Sequence, residues 1–411
     1  MSRVTIERLA AGGDGVGRLP DGVTVFVPRT APGDDVEVEV VERHPRFARG
    51  RAGERHGSGP DRAEPPCPHY TTDDCGGCQL QHLSLDAQLA AKRAMVGDAL
   101  RRIGKRVVAD PPIVKASDPW HYRTKITLAV HGGVIGLHRF DRPGDIFALD
   151  DCRITREPLM DLWREVRRAK VAWPAGATSV VLRLQRGGAR HLIVECPAVW
   201  DAAPLAAALG DGAVSYWWKP VSGGARVVHG PETGFPALAF EQSNPAMAAD
   251  IRLAAIDALG DLAGKTAWDL YGGVGESARL LAARGALVSS VDADGPTIAW
   301  AEQQPGNEEG RITFLASRCE EALHRLPTAD AVIVNPPRTG LHRRVATHLD
   351  RWASDARRAG RAVTLSYVSC DPATLARDLA RIPALNLDRV TAYDLFPQTS
   401  HVETVAVLKA T

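Results

Sequence analysis

Apolar and polar positions follow three different patterns along the chain. In the first stretch, short β-like segments occur at Val4-Thr5-Ile6, Val23–Val27 and Val36–Val40, and the last alternates apolar with charged residues as a half-buried strand does. The turn signals Pro20-Asp21-Gly22 and Pro32-Gly33-Asp34 precede the second and third segments. A small β-barrel ending near Arg55 is therefore predicted, followed by a Gly/Pro-rich linker from Gly57 to Pro66. From about Cys67 to Phe240 the pattern is mixed, with one helix-like stretch, Leu85 to Ile103, among β-rich pieces. Beyond Gly264 strands and helices alternate. Strands are predicted at Thr266–Tyr271, Leu287–Val291, Ala331–Val334, Ala362–Val368 and Val402–Leu408, and helices around Ala278–Arg284, Arg343–Ala359 and Thr374–Ile382. Such alternation predicts a parallel, doubly wound sheet covered on both faces. The expected fold class is α/β, with domains at 1–56, 57–240 and 241–411.

Length and composition are compatible with several domains and a large core: 411 residues, 45% apolar and 24% charged. No apolar run approaches the length of a membrane span, and the N-terminus lacks the apolar core of a secretory signal. A cytoplasmic, monomeric protein is expected. Seven cysteines, an odd number, argue against a disulfide framework in that compartment and leave metal binding or catalysis as their use. With a net charge of +1, any contact with nucleic acid must come from local patches. One candidate patch runs through Arg43, His44, Arg46, Arg49, Arg51, Arg55 and His56, with Phe47 among them for base stacking; a solvated basic loop is the alternative.

Three sites carry candidate chemistry. Cys67, Cys75 and Cys78 lie close together, with Gly76 and Gly77 permitting a tight turn, and Cys152 completes a set of four thiols. Zinc and a [4Fe–4S] cluster both accept four thiolates, and spacing does not separate them. The second site is Asp269-Leu270-Tyr271-Gly272-Gly273-Val274-Gly275-Glu276, a glycine-rich turn between a strand and a helix, with Asp292 ending the next strand. That arrangement suits NAD, FAD or S-adenosylmethionine at a sheet's carboxyl edge. Ala278 stands where a dinucleotide fingerprint has its third glycine. Asn335-Pro336-Pro337-Arg338 stiffens a loop at the same edge. The third site is Cys370 in "SYVSCDPATLARD", after a strand and before a helix whose first turn holds Pro372.

Taken together, the motifs "CPHYTTDDCGGCQLQHL", "WHYRTKI", "GLHRF", "FEQSNPAM", "DLYGGVG", "NPPRTG", "YVSCDPATLARDL" and "DLFPQTSHVE" resemble the S-adenosylmethionine-dependent RNA uracil-C5 methyltransferases, in the branch with a TRAM domain and an iron–sulfur cluster. The resemblance implies a class I, Rossmann-like methyltransferase domain, an N-terminal OB-like TRAM barrel and a central α+β iron–sulfur domain. It implies that Cys67, Cys75, Cys78 and Cys152 hold a [4Fe–4S] cluster. Gln242, Tyr271, Glu276, Asp292 and Asn335 would surround S-adenosylmethionine, with Cys370 as nucleophile and Glu403 as base. The chemistry is consistent with those roles. Uracil C5 is too weak a nucleophile to take a methyl group unaided, a thiolate adding to C6 activates it, and a carboxylate can then remove the C5 proton. The implied substrate is structured RNA, with 23S rRNA favoured and tRNA the alternative. The chain departs from the family's usual residues at Asn335 (Asp), Glu276 (Asn or Thr) and Asp371 (Asn). A non-catalytic RNA-binding factor competes with this reading. So does a cytosine-C5 methyltransferase, although Arg338 stands where that type carries a second cysteine.

Overall fold

A computed structural model describes residues 1–185, 187–210, 212–232, 241–306 and 310–410. Phe240, the first residue of "FEQSNPAM", and the expected boundary beside it lie outside the described residues. The chain divides into two compact units. One comprises Met1–Ala91, Ser117–Thr233 and Phe396–Ser400, the other Lys92–Ala116, Gly234–Leu395 and His401–Thr411. Both are discontinuous in sequence, which contiguous domains at 1–56, 57–240 and 241–411 do not anticipate.

The first unit opens with a closed five-stranded barrel in the order Ser2–Leu9, Gly15–Arg18, Thr24–Val27, Phe47–Gly57, Asp35–Arg43. Val4, Ile6, Val25, Val27, Val36 and Val38 fill it, each at most 2% exposed. The alternating pattern marks three of these strands. It misses Gly15–Arg18, which is short and glycine-rich, and Phe47–Gly57, whose outward residues are basic. The basic stretch is thus a turn, at His44 and Arg46, followed by a strand from Phe47, and acids of the neighbouring strand pair with several of its residues. Arg49 lies 3.7 Å from Glu42, His56 3.5 Å from Glu37, and Arg51 pairs in register with Glu39. Phe47 stacks on His44 with ring centroids 4.3 Å apart. The predicted linker is tied down as well. Asp34, fully buried, accepts the Gly59 N–H at 2.9 Å and the Arg62 Nε–H at 3.0 Å.

The same unit holds a seven-stranded sheet, from Arg226–His229 at one edge to Arg142–Ala148 at the other. Leu128, Val180, Leu182, Leu192, Val194 and Tyr216 share a core with Leu159, Leu162, Trp163 and Val166 of the helix Glu157–Ala169.

The second unit is an eight-stranded sheet in the order Ile312–Ala316, Leu287–Asp292, Thr266–Leu270, Ala331–Val334, Val363–Ser369, Glu403–Ala410, Asn386–Tyr393, Ile113–Val114. The first five strands are parallel; four of them are those predicted, and Ile312–Ala316 is an addition. The expectation of a wholly parallel sheet is corrected: Glu403–Ala410 runs antiparallel to both of its neighbours. After Asn386–Tyr393 the chain turns back and inserts its last strand between that strand and Val363–Ser369, which a return without a crossover helix permits only in the antiparallel sense. Helices form where the apolar stripe is clear. Arg343–Arg358 buries Val345, Ala346, Leu349, Trp352, Ala353 and Ala356, spacings of one face. The helices Pro245–Asp257 and Gly295–Gln303 escape sequence reading, since both are apolar with little contrast between faces. Among the described residues, no helix is long and apolar enough to cross a membrane.

Candidate active site

Parallel strands present their carboxyl ends at one edge, and most of the predicted residues of the second unit lie there. Tyr271 follows Thr266–Leu270, Asp292 closes Leu287–Asp292, Asn335 follows Ala331–Val334, and Cys370 follows Val363–Ser369. Gln242 stands in the segment leading to helix Pro245–Asp257, two residues before Asn244, whose side chain caps that helix by accepting from the Met247 N–H.

The glycine turn is held by its neighbours. The Gly272 N–H donates to the Val291 carbonyl at 3.0 Å and the Gly273 N–H to Asp292 Oδ2 at 2.9 Å. Asp292 Oδ1 accepts the Asp294 N–H at 2.9 Å. With one donor on each oxygen, the carboxylate keeps lone pairs for the hydroxyls of a ribose. A Cβ at Gly272 would stand 2.3 Å from Ser290 Oγ and 2.6 Å from Asp269 Oδ2, so only glycine fits this bend. Tyr271 adopts left-handed backbone, φ +62°, a strained state for a non-glycine residue. Glu276 begins the next helix, and Arg252 takes up its carboxylate. Asp269, quoted in the motif but given no role in the sequence reading, lies beneath the turn. Full burial pushes its carboxyl up to about 6, against the opposing hydrogen bond from Ser290 at 3.0 Å. Its place inside a strand concealed it; only burial marks it out.

The surroundings of Cys370 are built by one helix start and one strand start. Asp371 caps helix Pro372–Leu379, accepting the Thr374 N–H at 2.6 Å, and Pro372 occupies its first turn. Ser369 pairs with Thr404 across the antiparallel ladder. Continued by one residue, that register sets Cys370 opposite Glu403. Glu403 is 1% exposed, and neither carboxylate oxygen has a hydrogen-bond partner among the described residues. Burial pushes its carboxyl up to about 8, while Arg338 pulls the other way. Burial also raises the Cys370 thiol, Glu403 adds to that, and Arg338 opposes it. The Cys370 thiol, the Glu403 carboxylate and the Arg338 guanidinium therefore act on one another. A buried carboxylate left unpaired is costly, and such groups mark functional sites.

In the first unit, Cys67, Cys75, Cys78 and Cys152 are free thiols. Cys67, Cys78 and Cys152 pack with Tyr70, Tyr122 and Ile154. Burial pushes Cys75 up to about 11 and Cys78 up to about 12, and each is raised further by the neighbouring thiols of the set. Among the described residues, no group of three or more His, Cys, Asp or Glu is set to hold a metal ion. Cys319 is buried in the core of the second unit.

Comparison with known proteins accounts for this arrangement. Residues 2–52 match the TRAM domain, and residues 320–411, which include Asn335, Cys370 and Glu403, match tRNA (Uracil-5-)-methyltransferase. An uncharacterized RNA methyltransferase of Thermosynechococcus vestitus is 32% identical over 98% of this chain and 96% of its own. The 23S rRNA (uracil(1939)-C(5))-methyltransferase RlmD of Halomonas elongata is 31% identical over 99% of this chain and 89% of its own. The chain belongs to the RNA uracil-C5 methyltransferases. Among solved structures, Pyrococcus abyssi tRNA (uracil-54, C5)-methyltransferase in complex with S-adenosyl-L-homocysteine is similar along 99% of this chain and 100% of its own, with a TM-score of 0.71 and 25% identity. The second unit is accordingly a Rossmann-like methyltransferase domain, and the barrel at the start of the chain is a TRAM domain. As an RNA uracil-C5 methyltransferase, the protein uses S-adenosylmethionine as methyl donor.

Proposed function

We propose that the protein methylates C5 of a uridine in 23S rRNA through a covalent adduct between Cys370 and C6. The observation that supports this most directly is the buried Glu403, without a hydrogen-bond partner among the described residues, opposite Cys370 when the strand register is continued by one residue. In this reading the Cys370 thiolate adds to C6, opening the C5–C6 double bond. C5 becomes nucleophilic and takes the methyl group as its bond to the donor's sulfonium sulfur breaks and leaves a neutral thioether. Glu403 removes the C5 proton, the C5–C6 double bond re-forms and the S–C6 bond breaks to return the thiolate. Arg338 offsets the negative charge that thiolate and carboxylate would otherwise share.

S-adenosylmethionine supplies an electrophilic methyl group when bound. The residues at the strand ends fit it. The turn at Gly272 packs tightly on Ser290 and Asp269, which sets its backbone in place, and the free lone pairs of Asp292 suit ribose hydroxyls. Tyr271, Gln242 and Asn335 complete the surroundings, and Glu276, held by Arg252, fixes the start of the helix beneath the turn.

The rRNA preference rests on the likeness to the Halomonas enzyme, whose name gives 23S rRNA as its substrate. A tRNA substrate is the second reading, favoured by the whole-length likeness to the Pyrococcus enzyme. Incubation with labelled methyl donor and either a 23S rRNA fragment set or a tRNA pool, followed by nucleoside analysis, decides between them. 5-Methyluridine in the rRNA is expected; label in tRNA alone overturns the preference.

We assign a [4Fe–4S] cluster to Cys67, Cys75, Cys78 and Cys152 on the resemblance of their motif, and four thiols that influence one another are the donor set such a cluster takes. The Gly77 N–H donates to Cys75 Sγ at 3.4 Å, the kind of contact that supports cluster thiolates. In this scheme residues 1–56 bind RNA, 57–240 carry the cluster and further RNA contacts, and 241–411 perform methyl transfer. Anaerobically purified protein is expected to be brown and to contain about four irons per chain, and Cys78→Ala to lose most of that iron. A colourless protein with stoichiometric zinc contradicts the assignment.

A further inference from the structure

Asp378 lies eight residues beyond the nucleophile, fully buried on helix Pro372–Leu379. Its carboxylate accepts hydrogen bonds from three directions. Leu341 N–H, at the end of the Asn335–His342 loop, donates to Oδ2 at 2.7 Å. The Tyr367 hydroxyl, on the strand that delivers Cys370, donates to the same oxygen at 2.9 Å. Arg377 donates to Oδ1 at 3.0 and 2.9 Å, and Arg381 at 3.2 Å.

The same helix face grips the loop at two further points. The Thr374 hydroxyl donates to the Arg338 carbonyl at 3.1 Å, and Arg377 Nη2 to the Thr339 carbonyl at 2.7 Å. Positions 374, 377 and 378 are one face of a helix. Gly340, with φ +77°, lets the loop close down: a Cβ there would stand 2.2 Å from Asp378 Oδ2 and 2.3 Å from Thr374 Cγ2. Charge-assisted hydrogen bonds to a buried carboxylate are strong, so these contacts hold loop, strand and helix together.

We infer that Asp378, with Thr374 and Arg377, is a positioning latch that fixes the Arg338 loop against the helix that follows Cys370, so that the guanidinium holds a set place relative to the Cys370–Glu403 pair. The inference rests on the reading of that pair given above. Asp378 touches no reacting atom; it acts through the backbone of residues 338 to 341. Because the loop and the nucleophile hang from one carboxylate, loosening the latch lets Arg338 drift from the site where its charge is needed. A displacement of about 1 Å at such a group costs about 100-fold in rate.

The experiment is a double-mutant cycle on the full chain, measuring kcat for RNA methylation and KM for S-adenosylmethionine. Asp378→Asn is expected to lower kcat by about 100-fold with KM unchanged, and Thr374→Val by about 10-fold. In an Arg338→Ala background both substitutions are expected to lose most of their effect, since a latch has nothing left to place. Full additivity with Arg338→Ala overturns the inference, as does a rise in KM at unchanged kcat. If Asp378→Asn lowers the folded fraction, the Thr374→Val arm decides, because its isosteric side chain leaves the helix cap at Asp371 intact. Failure of the nucleophile assignment is read separately, as activity surviving Cys370→Ala, and leaves the cycle interpretable.

Discussion

Cys370→Ala is expected to reduce RNA methylation by on the order of 10⁴-fold or more, because without the sulfur no adduct forms and C5 stays unreactive. Binding of S-adenosylmethionine should be retained, since the glycine turn and Asp292 belong to other strands of the sheet. The fold should be retained too. Cys370 is only partly buried, its neighbours Asp371 and Ser369 hold the helix start by their own hydrogen bonds, and alanine tolerates the same backbone. Calorimetric titration of the donor and a thermal melt check both points alongside the rate. Methylation at the wild-type rate would remove the covalent mechanism from consideration.

Glu403→Gln separates the two halves of the reaction. An amide keeps the shape of the side chain but takes no proton, so methylated uracil should remain attached through the S–C6 bond. The expected result is a protein–RNA species stable to denaturing electrophoresis, containing one transferred methyl group and dependent on Cys370. Turnover should fall by about 10²- to 10⁴-fold. Free 5-methyluridine released at the wild-type rate would show that another group removes the proton. The pH dependence has a definite sign. Glu403 titrates at 4.5 in the unfolded chain and about 8 in the folded one, so the folded state holds the proton more tightly. The stability it contributes is complete below 4.5 and is lost as pH rises through about 8. Single-turnover rates should rise towards pH 8 as the base ionises, while Glu403→Gln flattens the dependence of melting temperature on pH over the same interval. A wild-type rate that is independent of pH across this window would place the base elsewhere.

The latch at Asp378 and the pair at Glu403 illustrate different limits of sequence reading. Helix Arg343–Arg358 and strand Ala331–Val334 were legible because their apolar positions repeat at 3.6 or run unbroken between turn signals. Phe47–Gly57 was not, since arginines facing water interrupt its alternation and its partner Glu39 is recognisable only once the strands are paired. Asp378 reads in sequence as one acid in a polar helix, and nothing local reveals that Leu341 and Tyr367 converge on it. The cofactor turn fell between these cases. Its glycines announce a bend, but the reason Gly272 must be glycine is the approach of Ser290 from another strand.

From its sequence alone, the chain determined the barrel at its start, the α/β alternation of its second half, the strand-end placement of Tyr271, Asp292, Asn335 and Cys370, and the family these motifs resemble. Each of these follows from local periodicity, turn chemistry or the spacing of reactive side chains. The tertiary structure alone decided that the last strand enters the sheet antiparallel. In a parallel strand Glu403 would have begun at the far edge, a strand's length from the thiol. Reversal brings the first residue of one strand beside the last of its neighbour, and so a carboxylate 33 residues away in sequence comes opposite Cys370 one step beyond the paired register, without a hydrogen-bond partner among the described residues.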